Sequence, residues 1–200
     1  KSPDALLLYL ACVRAGAIFL PLNTAYTPVE IEYFLGDAKP RVFVCSPARK
    51  DQLAAVVAGA NVAHVETLGE CEDGTLIDKS RAKSGEFADV DRGENDLAAI
   101  LYTSGTTGRS KGAMLSHGNL ASNALTLVDY WQFTANDVLI HALPIYHTHG
   151  LFVATNTLLL AGGSMLFLPK LDTNEIIRLM PRATSMMGVP TFYTRLLQHD

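Results

Sequence analysis

Residues 97–101, Leu-Ala-Ala-Ile-Leu, form an apolar run with no polar alternation. A strand with one wet face alternates, so an unbroken run suits a strand buried on both faces, as in a parallel sheet. The run opens directly into Tyr102-Thr103-Ser104-Gly105-Thr106-Thr107-Gly108-Arg109-Ser110-Lys111-Gly112, a stretch of hydroxyls, glycines and two cations. Glycine lets backbone N–H groups approach a phosphate closely. Hydroxyls donate to phosphate oxygens, and Arg109 and Lys111 offset negative charge. Residue chemistry alone points to a loop for nucleotide phosphates. The plain alternative is a Ser/Gly-rich surface loop after a core strand.

The commonest phosphate loop reads G-x-x-x-x-G-K-[ST]. Counted from Gly105, its second glycine falls on Ser110, and Lys111 is followed by Gly112. Both mismatches argue against a P-loop phosphotransferase. The stretch instead resembles the signature of the adenylate-forming enzymes (acyl-CoA synthetases, peptide-synthetase adenylation domains, luciferase), [Y/F]-T-S-G-[S/T]-T-G-x-[P/S]-K-G. Every position from Tyr102 to Gly112 fits. The resemblance implies that Thr103, Ser104, Gly105, Thr106, Thr107, Gly108, Arg109, Ser110 and Lys111 hold ATP phosphates, with Thr106 offered to Mg²⁺.

Composition bounds the alternatives. With 48% hydrophobic residues the chain can build a buried core. A formal charge of −4 leaves no basic footprint for nucleic acid. No apolar run reaches the roughly 18 residues of a membrane span. Cys12 and Cys45 sit in apolar runs and read as reduced core thiols, and Cys71 makes the count odd. The expected compartment is the cytoplasm or an organelle matrix.

Short apolar runs alternate with amphipathic stretches along the chain. Ser2-Pro3-Asp4 and Thr27-Pro28-Val29-Glu30 have the form of helix starts, the second a capping box. Strands are expected at 17–20, 41–45, 62–65, 113–115, 138–143, 165–168 and 184–189. Helices are expected from Ser46-Pro47 to Ala60 and over 75–82, 117–131, 150–161, 173–180 and 190–197. This order calls for an α/β fold with mainly parallel sheets flanked by helices. Residues 1–65 read as a first α/β portion and 66–96, acidic and glycine-bearing, as a surface excursion. Residues 97–200 carry the phosphate loop and the expected acyl pocket. Ala15-Gly16, Phe19-Leu20-Pro21 and Glu30-Ile31 are echoed by Ala161-Gly162, Phe167-Leu168-Pro169 and Glu175-Ile176. The resemblance implies two similar sheet-based subdomains, as in the large N-terminal domain of the adenylate-forming enzymes.

Leu143-Pro144-Ile145-Tyr146-His147-Thr148-His149-Gly150 follows an expected strand, where ligands bind in open α/β sheets. His141, His147 and His149 match no standard zinc spacing. The stretch resembles the family's P-[L/I]-[F/Y]-H-x-x-[G], whose histidine lines the carboxylate pocket, a role that carries over to His147. Gly188-Val189-Pro190-Thr191-Phe192-Tyr193 resembles G-V-P-[T/S]-x-[Y/F], another pocket wall that includes Gly188. Arg195 lies one turn into the helix begun by Pro190. A buried guanidinium is costly unless paired, and a second substrate carboxylate is the economical partner. Leu97 to Asp200 is most similar to malonyl-CoA synthetases within the family.

The resemblance implies activation of a short dicarboxylic acid by ATP and transfer of the acyl group to CoA. The substrates are small molecules, and the oligomeric state stays open. The family's later motifs, including the C-terminal domain with its essential lysine, do not occur in these 200 residues. The chain is therefore expected to be a fragment that alone does not complete adenylation. Monocarboxylate ligase, carrier-loading adenylation domain and non-catalytic nucleotide-binding module remain as alternatives.

Overall fold

The computed structural model describes residues 1–103 and 109–199. Helices are α1 (Pro3–Arg14), α2 (Pro28–Ala38), α3 (Lys50–Gly59), α4 (Thr75–Arg81), α5 (His117–Trp131), α6 (Asn156–Ala161), α7 (Thr173–Leu179) and α8 (Pro190–Leu197). Strands are β1 (Val42–Cys45), β2 (His64–Thr67), β3 (Leu97–Thr103), β4 (Lys111–Ser116), β5 (Val138–His141), β6 (Ser164–Phe167) and β7 (Ser185–Met186). Two compact units form. One comprises Lys1, Leu6–Pro21 and Asp89–Asp200, the other Ser2–Ala5 and Leu22–Ala88.

In the smaller unit β1 and β2 pair in parallel, Val42 opposite His64 through Cys45 opposite Thr67. Ile31 and Leu35 of α2 and Leu53 and Val57 of α3 are buried with Phe43 of β1. Each such side chain contributes on the order of 1.5–3 kcal/mol by leaving water. The Thr27 hydroxyl accepts from Glu30 N–H while the Glu30 carboxylate accepts from Thr27 N–H at 2.7 Å, the capping box expected from sequence. β2 runs on through Glu66 and Thr67, both buried, into a stretch expected at the surface. The Glu66 carboxylate accepts from Lys79 Nζ and from Thr75 Oγ1, which hold it below the usual glutamate range. Those two partners on α4 make the buried acid tolerable.

The larger unit holds a parallel sheet of order β6-β5-β7 and an antiparallel hairpin of β3 and β4. The hairpin corrects one expectation. β3 is parallel to its neighbour only through the single bridge Phe19–Ala99, and its other edge takes β4 antiparallel, Thr103 opposite Lys111. The chain returns so soon after Thr103 that no crossover of a dozen residues fits between. The apolar run is nevertheless largely buried, Ala98 and Ala99 completely and Leu97 and Ile100 in part. β7 is also shorter than expected. Just before it, Thr184 N–H donates to the Val138 carbonyl at 2.9 Å, while Val138 N–H donates to the Thr184 hydroxyl at 3.0 Å instead of to a backbone carbonyl.

The expected single helix over 150–161 is two elements, a π-helical turn (His149–Thr155) and α6. Gly16 and Gly162 both end a helix in the left-handed conformation, φ 65° and 76°, which glycine adopts without a Cβ clash. Each is followed by a strand position, a proline and a helix capped by a side chain, Thr27 for α2 and Asp172 for α7. The echo in sequence is thus an echo in structure. Burial pushes the half-buried Cys12 and Cys45 thiols up, and both are free.

Candidate active site

The hairpin presents the first candidate group. Thr103 ends β3 and Lys111 begins β4, both exposed, and Thr103 Oγ1 donates to the Lys111 carbonyl at 3.5 Å. Arg109 is exposed and Ser110 half-buried. Ser104, Gly105, Thr106, Thr107 and Gly108 lie outside the described residues. The described flanks therefore bring Thr103 and Lys111 face to face at the end of the two-stranded ribbon where the chain passes from β3 to β4.

The second group lies at the carboxyl end of the parallel sheet. β5, β6 and β7 run the same way, so the segments after His141, Phe167 and Met186 leave one edge together. His147 and Gly188 both follow these strand ends, the position at which open α/β sheets bind ligands. His147 is exposed, its ring tilted against Tyr146 with centroids 4.4 Å apart. Gly188 packs on Phe192, whose Cβ is 3.1 Å from where a Gly188 Cβ would stand.

Arg195 departs from the sequence reading in its burial. Helix α8 buries Phe192 and half-buries Leu196, and Arg195 is exposed. It lines a cleft of about 420 Å³ with Leu171, Asp172, Thr173, Gln198 and His199. Among the described residues it makes no ion pair. The desolvation argument for a second carboxylate therefore has no buried guanidinium to rest on within this chain.

The sequence treated His141 only as one of three histidines. It is the best-connected polar residue of the sheet edge. His141 is 1% exposed at the end of β5. Its Nε2 stands 2.8 Å from the Gly150 carbonyl, which only accepts, so Nε2 carries the proton. Lys1 Nζ lies 3.1 Å from Nδ1 and donates to the His141 carbonyl at 2.7 Å. Thr155 Oγ1 donates to the same Gly150 carbonyl at 2.9 Å. Burial, then the Lys1 charge, pushes His141 down to about 4, and burial pushes Lys1 down to about 7. Lys1 Nζ also sits 4.2 Å from the Phe167 ring centroid, a cation–π contact. The signal in the sequence was a histidine inside an unbroken apolar strand, which must be buried and hence partnered. Among the described residues no three His, Cys, Asp or Glu side chains converge on a metal position.

The model of the AMP-binding enzymes matches residues 1–200. The chain belongs to this family. An ATP-bound MatB from Rhodopseudomonas palustris is 66% identical, with a TM-score of 0.96, over 100% of this chain and 39% of that one. A feruloyl-CoA synthase of Amycolatopsis is 31% identical over 100% of this chain and 39% of its own length. A mitochondrial malonate–CoA ligase of Mus musculus is 30% identical over 92% of this chain and 32% of its own length. The chain thus spans about two fifths or less of these AMP-binding relatives. Like the MatB structure, the chain has the fold expected from sequence, helices about mainly parallel sheets. No helix among its described residues is long and apolar enough to cross a membrane.

Proposed function

We propose that the full-length protein carrying this chain is an ATP-dependent carboxylate–CoA ligase acting on a short dicarboxylic acid, malonate first. The observation that carries the reading is the 66% identity with ATP-bound MatB along the whole chain. The malonate–CoA ligase among its relatives supports the choice of acid. The substrate carboxylate attacks the α-phosphorus of ATP. A P–O bond forms to the acyl oxygen, the α–β bridging bond breaks, and pyrophosphate leaves. The CoA thiol, losing its proton, then attacks the acyl carbonyl, and AMP leaves with the oxygen.

In this reading Thr103 and Lys111 stand at the β- and γ-phosphates, with Ser104 to Ser110 completing the cradle. Their work is positioning and charge compensation. His147 donates to the reacting carboxylate, Gly188 forms the adjoining wall, and Arg195 faces the second carboxylate. Mg²⁺ is expected with the nucleotide, to neutralise phosphate charge. Thr106, the residue offered to it, lies outside the described residues. Among the described residues no three His, Cys, Asp or Glu side chains converge to hold a metal by themselves. The compartment in this reading is the cytoplasm or an organelle matrix.

A second reading, a monocarboxylate ligase, is favoured by the exposure of Arg195 beside Asp172 and by the feruloyl-CoA synthase relative. ATP–pyrophosphate exchange by the full-length protein separates the two. With malonate, methylmalonate, acetate and octanoate offered in turn, malonate gives the fastest exchange. Arg195→Ala then lowers malonate kcat/KM at least tenfold, about 1.4 kcal/mol, and leaves acetate unchanged. Preference for acetate or octanoate with no effect of Arg195→Ala sinks the dicarboxylate reading. Absence of exchange with every acid sinks the ligase reading.

A further inference from the structure

We propose that His141 is a positioning residue for His147, acting through the Gly150 carbonyl that closes the turn from Pro144 to Gly150. The inference rests on the reading of His147 as a carboxylate donor. His147 lies midway along this turn, exposed, with its ring against the half-buried Tyr146. Both ends of the turn are fixed. Gly150 lies so close to Pro144 that a Cβ would stand 2.2 Å from the Pro144 carbonyl oxygen. The Gly150 carbonyl accepts from His141 Nε2 at 2.8 Å and Thr155 Oγ1 at 2.9 Å, and all three residues are buried. The π-helical turn from His149 to Thr155 widens the coil here, and the Thr155 hydroxyl reaches the carbonyl five residues back. Leu151 N–H in turn donates to the His147 carbonyl at 3.0 Å. The path is continuous: His141 to Gly150 O, then through one peptide unit to Leu151 N–H and His147 O.

Lys1 completes the device. With Nε2 protonated toward Gly150, the neutral ring offers Nδ1 as an acceptor, and Lys1 Nζ stands there at 3.1 Å. The donor to Gly150 is thereby fixed in tautomer and in ring angle. Such support of a ligand-facing group by a buried hydrogen bond is how small displacements at the reacting atoms are avoided.

The test uses the full-length protein, with His141→Phe, His141→Gln and Thr155→Val. Gln places an amide N–H close to where Nε2–H stands, Phe offers none, and Val removes only the hydroxyl. The expected result is a split in pyrophosphate exchange. The KM for the carboxylate rises at least tenfold in His141→Phe and about threefold in Thr155→Val. The KM for ATP stays within twofold, and His141→Gln recovers most of the loss. A role in stability alone lowers the active fraction and leaves both KM values in place. Equal rises in both KM values, or no recovery by Gln, overturn the proposal. A second readout does not need turnover: with histidine labelled at Cε1 by ¹³C, the His147 resonance shifts or broadens in Thr155→Val and in His141→Phe. If it stays unmoved in both, positioning is wrong. If it moves but no acid supports exchange in the wild type, the ligase reading fails and the positioning stands.

Discussion

The hairpin and the parallel sheet of the larger unit assemble their candidate residues in opposite ways. In the hairpin every candidate residue comes from one continuous stretch, Thr103 to Lys111, and the strands that carry it are neighbours in sequence. In the sheet the candidates come from separate segments, after β5 and after β7, and the buried hydrogen bonds at the end of β5 reach back to Lys1. The hairpin's outer strand β4 is largely exposed, whereas β5 is buried from Leu139 to His141. A contiguous loop needs little from the rest of the chain beyond a stable strand pair. A dispersed site depends on core packing and on buried polar groups being satisfied. Substitutions should therefore damage stability in the sheet and local function in the hairpin.

The largest stability effect is expected at Leu158 of α6, which is fully buried in the cluster around β5. Leu158→Ala should cost the full-length protein about 2–5 kcal/mol by urea unfolding monitored locally by hydrogen exchange. Met114→Ala on exposed β4 should stay within about 0.5 kcal/mol. Comparable losses at the two positions would break the comparison.

Next comes acid. His141 in the fold lies near 4 against an ordinary 6.5. As pH falls from 6.5 the unfolded chain takes up this proton and the folded chain does not, so stability falls until about pH 4 and then levels off. The total is roughly 3 kcal/mol at most. Lys1, at about 7, is largely protonated in both states through most of that window and adds little slope. Glu66, Asp137 and Glu175 are held below their ordinary values of 4.5, 3.8 and 4.5, so their losses come at lower pH. Unfolding midpoints between pH 6.5 and 5 should therefore drop in the wild type and much less in His141→Gln. Equal drops would assign the slope elsewhere.

A smaller effect is expected where hairpin and helix meet. Ser116 caps α5, its hydroxyl accepting from Asn119 N–H at 3.1 Å while Asn119 Oδ1 accepts from Ser116 N–H at 3.0 Å. Ser116→Ala should cost about 1 kcal/mol without altering the KM for a carboxylate. A rise in that KM would mean that the two regions are coupled through α5.

The same contrast explains what could be read from sequence. α2, α5 and α8 were legible because their signals are local: a capping hydroxyl, a proline at the start, apolar spacing. The hairpin was half legible. The apolar run marked β3, but its direction of pairing followed from the short return to Lys111 rather than from the run. The network of Lys1, His141, Gly150 and Thr155 was illegible because the bonded pair Lys1 and His141 is 140 positions apart. Thr155 is a hydroxyl in an apolar neighbourhood, and the π-helical turn it supports has no local signature. Arg195 was placed on the right helix, but its burial depended on which way α8 turned.

The proposed division of labour gives the nucleotide to the hairpin and the acid to the sheet edge. Steady-state exchange by the full-length protein with Lys111→Ala and His147→Ala tests it most directly. The expected result is a crossover. Lys111→Ala raises the KM for ATP at least tenfold with little change for malonate, and His147→Ala does the reverse. Both variants raising both KM values in parallel, or each raising the other's, would contradict it.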